Sequence, residues 1–136
     1  MTATIHYEGN LRCNAVHLQS SSTIETDAPT DNKGKGERFS PTDLVCTALA
    51  TCMITTMAIK VGDSIDLTGT IVNVKKYMAA DPRRISKIDV EVLYPDTLHL
   101  SAQDWDNLKI IGDNCPVMKS LHPDIVVNAV YKREEA

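Results

Sequence analysis

From Leu44 to Ile59 (LVCTALATCMITTMAI) the chain carries no charged residue. Ser40-Pro41-Thr42-Asp43 stands immediately before this run. Serine suits an N-cap, proline the first helical position and an acid the third, so a helix starts here. The run is too short and too threonine-rich for a membrane span, which needs about 20 apolar residues. Being apolar on every face, it predicts a helix buried all round. A chain of 136 residues is one domain, 1–136, and has little material to enclose such a helix. A second copy covering the remaining face, in a homodimer, is the physical expectation.

The segments around the helix are predicted to be extended. Thr2 to Tyr7, Leu11 to Leu18 and Thr23 to Thr26 read as an N-terminal β-meander, with a turn at Glu8-Gly9-Asn10. Asp27 to Arg38, rich in Pro, Gly, Asp and Lys, reads as a loop long enough to be mobile or functional. Gly62-Asp63 ends the helix. Ile65 to Ala80 and Ile85 to Tyr94 are strands joined by a turn at Asp81-Pro82-Arg83-Arg84. In the second, Ile88, Val90, Val92 and Tyr94 share one face and Asp89 and Glu91 the other. Ser101-x-x-Asp104 opens a helix that ends near Asn114, Cys115-Pro116 starts a short final turn, and Ile125 to Tyr131 is a last strand. Strands and helices are segregated, so the class is α+β with antiparallel sheets.

Charge and motif exclude several functions. A net charge of -4 gives no basic footprint for nucleic acid. The N-terminus lacks the basic and apolar regions of a signal peptide, and four cysteines in such a chain set the expectation of a cytoplasmic protein with reduced thiols. No pair of cysteines has Cys-x-x-Cys spacing and the four histidines are scattered, so neither a metal site nor a cofactor is called for.

The thiols are the candidate chemistry. Cys115 stands where backbone N–H groups of a helical start favour thiolate, although a small residue capping a turn before proline fits as well. Cys52, on spacing alone, is a core cysteine. Cys46 lies six residues before it, about 9 Å along the axis and on another face, so the two cannot be bridged within a helix. Asp43 is either the capping acid or a carboxylate that orients an arginine near a thiol. It lies nine residues from Cys52, about two and a half turns, too far for direct contact. Arg12 and Arg38 are the candidate cations.

The Ser-Pro-Thr-Asp-Leu helix start, the stretch Ala48-Leu49-Ala50-Thr51-Cys52-Met53 and, some sixty residues on, Asn114-Cys115-Pro116-Val117 together resemble the OsmC/Ohr family of osmotically induced and organic-hydroperoxide-resistance proteins. The likeness extends over nearly the whole chain, on the side of the family's broad, less characterised branch. It implies an OsmC-like fold, an intertwined homodimer with two long helices buried between sheets. It also implies a thiol-dependent peroxidase. Cys52 would attack an organic hydroperoxide and become a sulfenic acid, Cys115 would condense with it to a disulfide, and an external dithiol would reduce that bond. Arg12 would be the catalytic arginine and Asp43 its acid. Two departures stand out. The family acid directly follows the helix-start proline, where this chain has Thr42, and the glycine-rich setting of the family arginine is absent around Arg12. The competing readings are a non-catalytic small-molecule-binding dimer of the same fold and a redox-sensing dimer.

Overall fold

The charge-free run does become a long helix. In the structure, a computed structural model that describes residues 1–135, helix α1 spans Pro41–Val61. Its start is a reciprocal cap. Ser40 N–H donates to Asp43 Oδ2 at 2.9 Å, and Asp43 N–H donates to Ser40 Oγ at 3.0 Å. Two of the orphan donors at the helix start are thereby satisfied. Gly62, at φ +55°, turns the chain out of the helix, a conformation that glycine adopts without steric cost. The chain gathers into two compact units, Met1–Val45 and the remainder from Cys46 onward.

The first unit is the expected meander. Strands β1 (Ala3–Gly9), β2 (Arg12–His17) and β3 (Thr23–Asp27) pair antiparallel in that order. The segment after β3 is not loose. It holds a 3-10 turn at Thr30–Asn32, and Gly34 N–H returns to Pro29 O at 2.9 Å.

In the second unit β4 (Ile71–Ala79), β5 (Arg84–Tyr94) and β6 (Val126–Arg133) form a sheet in that order. β4 starts later than the expected Ile65. Asp66 Oδ1 accepts Thr68 N–H at 3.0 Å, Thr70 N–H returns to Leu67 O at 3.1 Å, and Gly69 has φ +91°, so a turn occupies that stretch. β4 and β5 are antiparallel, but β6 runs parallel to β5. The expectation of purely antiparallel sheets is corrected at this one pair. A parallel neighbour needs a crossover connection, and helices α2 (Ala102–Asp113) and α3 (Pro116–Ser120) supply it. Ser101 and Asp104 cap α2 reciprocally, as their spacing predicts.

The core lies in this unit. Leu49, Met53 and Met57 of α1 pack with Ile88, Val90, Val92 and Tyr94 of β5 and with Leu108 of α2. The Trp105 ring meets Tyr94 edge-on at 5.1 Å, a favoured aromatic geometry. α1 is not covered on every side in the single chain. Cys46, Leu49, Ala50, Met53 and Met57 are buried, whereas Ile59 is 72 % exposed. Pro41–Ser64 is apolar enough by length and composition to cross a membrane. Its packed face instead makes it the core helix of this unit.

Candidate functional site

Cys52 sits in the fourth turn of α1, half-buried. Thr56, one turn further on, lies on the same helix face, with its hydroxyl 3.8 Å from the Cys52 sulfur. Cys115 arrives from the crossover. It is the residue that caps α3, in extended backbone at φ -66° and ψ 159°, with Pro116 in the first helical position. It is fully buried. The two thiols are neighbours: Cys115 and the Val117 backbone N–H both act on the Cys52 sulfur. Both cysteines are free.

This arrangement separates the acidities of the two thiols. At Cys52 burial opposes the thiolate, but the Val117 N–H, the Thr56 hydroxyl and the Cys115 thiol outweigh it and bring the thiol below its ordinary value of 9.0. At Cys115 burial dominates and the adjacent Cys52 adds to it. The Met118 and Val117 N–H groups work the other way without prevailing, so this thiol lies above its ordinary value. The sequence leaves Cys115 open between a thiolate at a helical start and a small capping residue; its surroundings push its thiol up and that of Cys52 down. The donors of the short helix are present, but burial decides against the residue that caps it.

In the first unit, Arg12 is held by Asp27, which the composition of 27–38 assigns to a loop but which ends β3. Arg12 Nε donates to Asp27 Oδ1 at 2.7 Å and Nη2 to Asp27 Oδ2 at 2.8 Å, a bidentate pair. Asp27 is 1 % exposed. The Arg12 hydrogen bond outweighs burial, the Glu37 and Arg38 N–H groups assist, and the carboxyl is held below its ordinary range. Glu25 and Glu37 lie 3.8 and 3.6 Å from the guanidinium. Arg38 shares the cluster through Glu25 at 3.9 Å. The signal for Asp27 was available. Counting outward along the β2–β3 hairpin places Asp27 directly opposite Arg12.

A model of the OsmC-like protein family matches residues 34–130. The chain belongs to the OsmC-like family. Among solved structures it resembles a candidate osmotic stress induced and detoxification response protein from Psychrobacter arcticus 273-4, with 45% identity over 96% of this chain and 95% of the other, at a TM-score of 0.91. It shares its fold with an OsmC-like protein from Mycoplasma pneumoniae, at 15% identity, TM-score 0.77 and coverage of 98% and 96%. The same holds for an organic hydroperoxide resistance protein OsmC from Legionella pneumophila, at 16% identity, TM-score 0.70 and coverage of 97% and 95%. Comparison with curated proteins gives no match.

Of the four residues expected at an OsmC-like site, Cys52 and Cys115 are brought together. Arg12 is fixed within the meander by Asp27, and Asp43 closes the cap on Ser40. The donors to Cys52, Thr56 and the Val117 N–H, were not anticipated. Thr56 follows from the i, i+4 rule on a helix, whereas Val117 lies 65 residues away in sequence and left no local signal. Among the described residues no group of three or more His, Cys, Asp or Glu is arranged to hold a metal ion.

Proposed function

We propose that this chain is a thiol-dependent peroxidase acting on organic hydroperoxides. The observation that carries the reading is the setting of two free thiols: half-buried Cys52 on α1, with donors that bring it below its ordinary value, beside fully buried Cys115, which burial pushes up. The first is the better placed of the two to act as a nucleophile, and the second to follow it. The Cys52 thiolate attacks the outer peroxide oxygen and the O–O bond breaks. The alkoxide leaves, takes a proton and becomes an alcohol, and Cys52 is oxidised to sulfenic acid. The Cys115 sulfur then attacks the Cys52 sulfur. An S–S bond forms, the S–O bond breaks and water leaves with the Cys115 proton. An external dithiol reduces the disulfide by two exchanges and is itself oxidised to a disulfide. The uncharged surroundings of Cys52 along α1 favour a substrate with an apolar tail over hydrogen peroxide. In this reading Arg12, held by Asp27, is the cation for the peroxide oxygens. Asp43 acts through the start of α1, and a second copy of the chain covers the open face of that helix.

The test is rapid mixing of reduced protein with one equivalent of an organic hydroperoxide, and separately of hydrogen peroxide. Thiol loss and intact mass are followed for the parent, Cys52→Ser and Cys115→Ser. The expected result is fast loss of two thiols with the organic peroxide, abolished in Cys52→Ser and halted at sulfenic acid in Cys115→Ser. Reaction no faster than that of free cysteine would overturn the reading in favour of a non-catalytic dimer.

A further inference from the structure

Cys115 is held in place largely by its backbone. Its N–H donates to Gly112 O at 3.4 Å and its carbonyl accepts Lys119 N–H at 3.1 Å. The position of its sulfur is therefore inherited from the last turn of α2, and that turn is fastened to β6. Tyr131 Oη donates to Asp113 Oδ1 at 2.7 Å. Lys109 Nζ donates to Asp113 Oδ2 at 3.1 Å and lies 5.3 Å over the Tyr131 ring. Gly112 makes room for this contact. A Cβ there would stand 2.7 Å from Tyr131 Oη and would also collide with the Met57 methyl. The Met57 sulfur in turn accepts from Tyr94 Oη at 3.7 Å. The end of α2 is thus pinned against α1, which carries Cys52, and against β6. Burial, then Asp113, Tyr94 and Cys115, push the Tyr131 phenol well above its ordinary range, so its hydroxyl stays a donor wherever the thiols react.

We infer that Tyr131 and Asp113 are positioning residues for the second thiol: their clasp between β6 and the end of α2 sets how fast Cys115 attacks a sulfur bonded at Cys52. This rests on the proposed reading that Cys52 and Cys115 react in turn. The clasp makes no hydrogen bond to Cys52, and Cys115 is the last of the three donors to that sulfur, so the first reaction depends on the clasp far less than the second does. Small displacements of reacting atoms are costly; a shift near 1 Å lowers a rate by up to about 10²-fold. Loss of one hydrogen bond in the clasp is expected to slow closure by about tenfold.

An aromatic disulfide, 5,5′-dithiobis(2-nitrobenzoate), separates the two steps without any peroxide. In full-length protein carrying Cys13→Ser, the Cys52 thiolate attacks the reagent and releases one thionitrobenzoate, leaving a mixed disulfide. The Cys115 sulfur then attacks the Cys52 sulfur. The new S–S bond forms, the second thionitrobenzoate leaves as thiolate, and the Cys115 proton goes to solvent. In Tyr131→Phe and Asp113→Ala the first release is expected to slow by no more than about twofold and the second by about tenfold. Tyr131→Phe removes the donor and Asp113→Ala the acceptor of one hydrogen bond, so the double variant should be no slower than the slower single one. An unchanged second release, or equal slowing of both, would overturn the inference. Asp113→Ala keeps the test available if Tyr131→Phe does not fold. A parent that shows no second release overturns the positioning role, whereas normal release in a protein inert to hydroperoxides overturns only the peroxidase.

Discussion

Replacing Thr56 by Val tests the acidity of Cys52 directly. The substitution keeps the β-branched shape in α1 and removes only the hydroxyl that lies 3.8 Å from the Cys52 sulfur. A hydrogen bond to a charged group contributes about 1.5–3 kcal/mol. This contact is at the long end for sulfur and half-buried, so about 1 kcal/mol is the appropriate scale. That corresponds to about fivefold in the thiolate-to-thiol ratio. The hydroxyl favours thiolate, so its loss raises the Cys52 value and empties the thiolate population at any pH below it. A more basic thiolate is also a better nucleophile, with a Brønsted slope of about 0.4–0.5, which returns about twofold. The net expectation is a two- to threefold slower reaction on the acid side and a crossover to about twofold faster once both proteins are fully ionised. The assay is iodoacetamide alkylation across pH, with the label located on Cys52 by peptide mass. A profile that does not move, or one slowed by the same factor at every pH, would refute the account of Thr56 as a donor to the thiolate.

Two further outcomes follow from the packing and the charges. Leu108→Ala, at a fully buried core position, is expected to cost roughly 3 kcal/mol. For a chain of 136 residues that is a fall in Tm of roughly 10 °C, measured by calorimetry; a fall below 3 °C would mean that α2 is not part of the core. Asp27→Asn is expected to destabilise the protein at neutral pH. Because the folded carboxyl lies below its ordinary value of 3.8, its contribution is present above that value and lost as pH falls through the folded one. Denaturant midpoints of parent and variant should therefore converge in strong acid, and a difference that persists there would argue against the Arg12–Asp27 pair as its source.

The parts of this fold that were legible in the sequence are those decided within a few residues. Ser40 with Asp43, and Ser101 with Asp104, announce their helices because a cap is a local exchange of hydrogen bonds. The alternation from Ile88 to Tyr94 announces a strand with one wet face. The direction of β6 was not legible, since a period of two is the same for parallel and antiparallel neighbours. The two thiols were recognisable by their settings, but which of them is the acidic one was not. That depends on Cys115 being buried and on an N–H from residue 117 reaching a sulfur at residue 52. Asp27 was missed for a different reason: it stands at the end of a strand in a polar stretch, and the turn-forming composition after it hid the last rung of the ladder.

The parallel run of β6 has a consequence for faithful assembly. Along β6, Val127, Ala129 and Tyr131 are half-buried and alternate with exposed Asn128, Val130 and Lys132. A slip of one residue against β5 would exchange the two sets, placing Lys132 or Val130 where Tyr131 stands. Such a misregistered chain could keep its sheet and both helices and still lack a hydroxyl at the end of α2. It would escape notice by circular dichroism, yet its two sulfurs would join more slowly. If Cys52 and Cys115 join as proposed, a slow phase in their closure reports the molecules with β6 out of register, a chemical gauge of strand alignment.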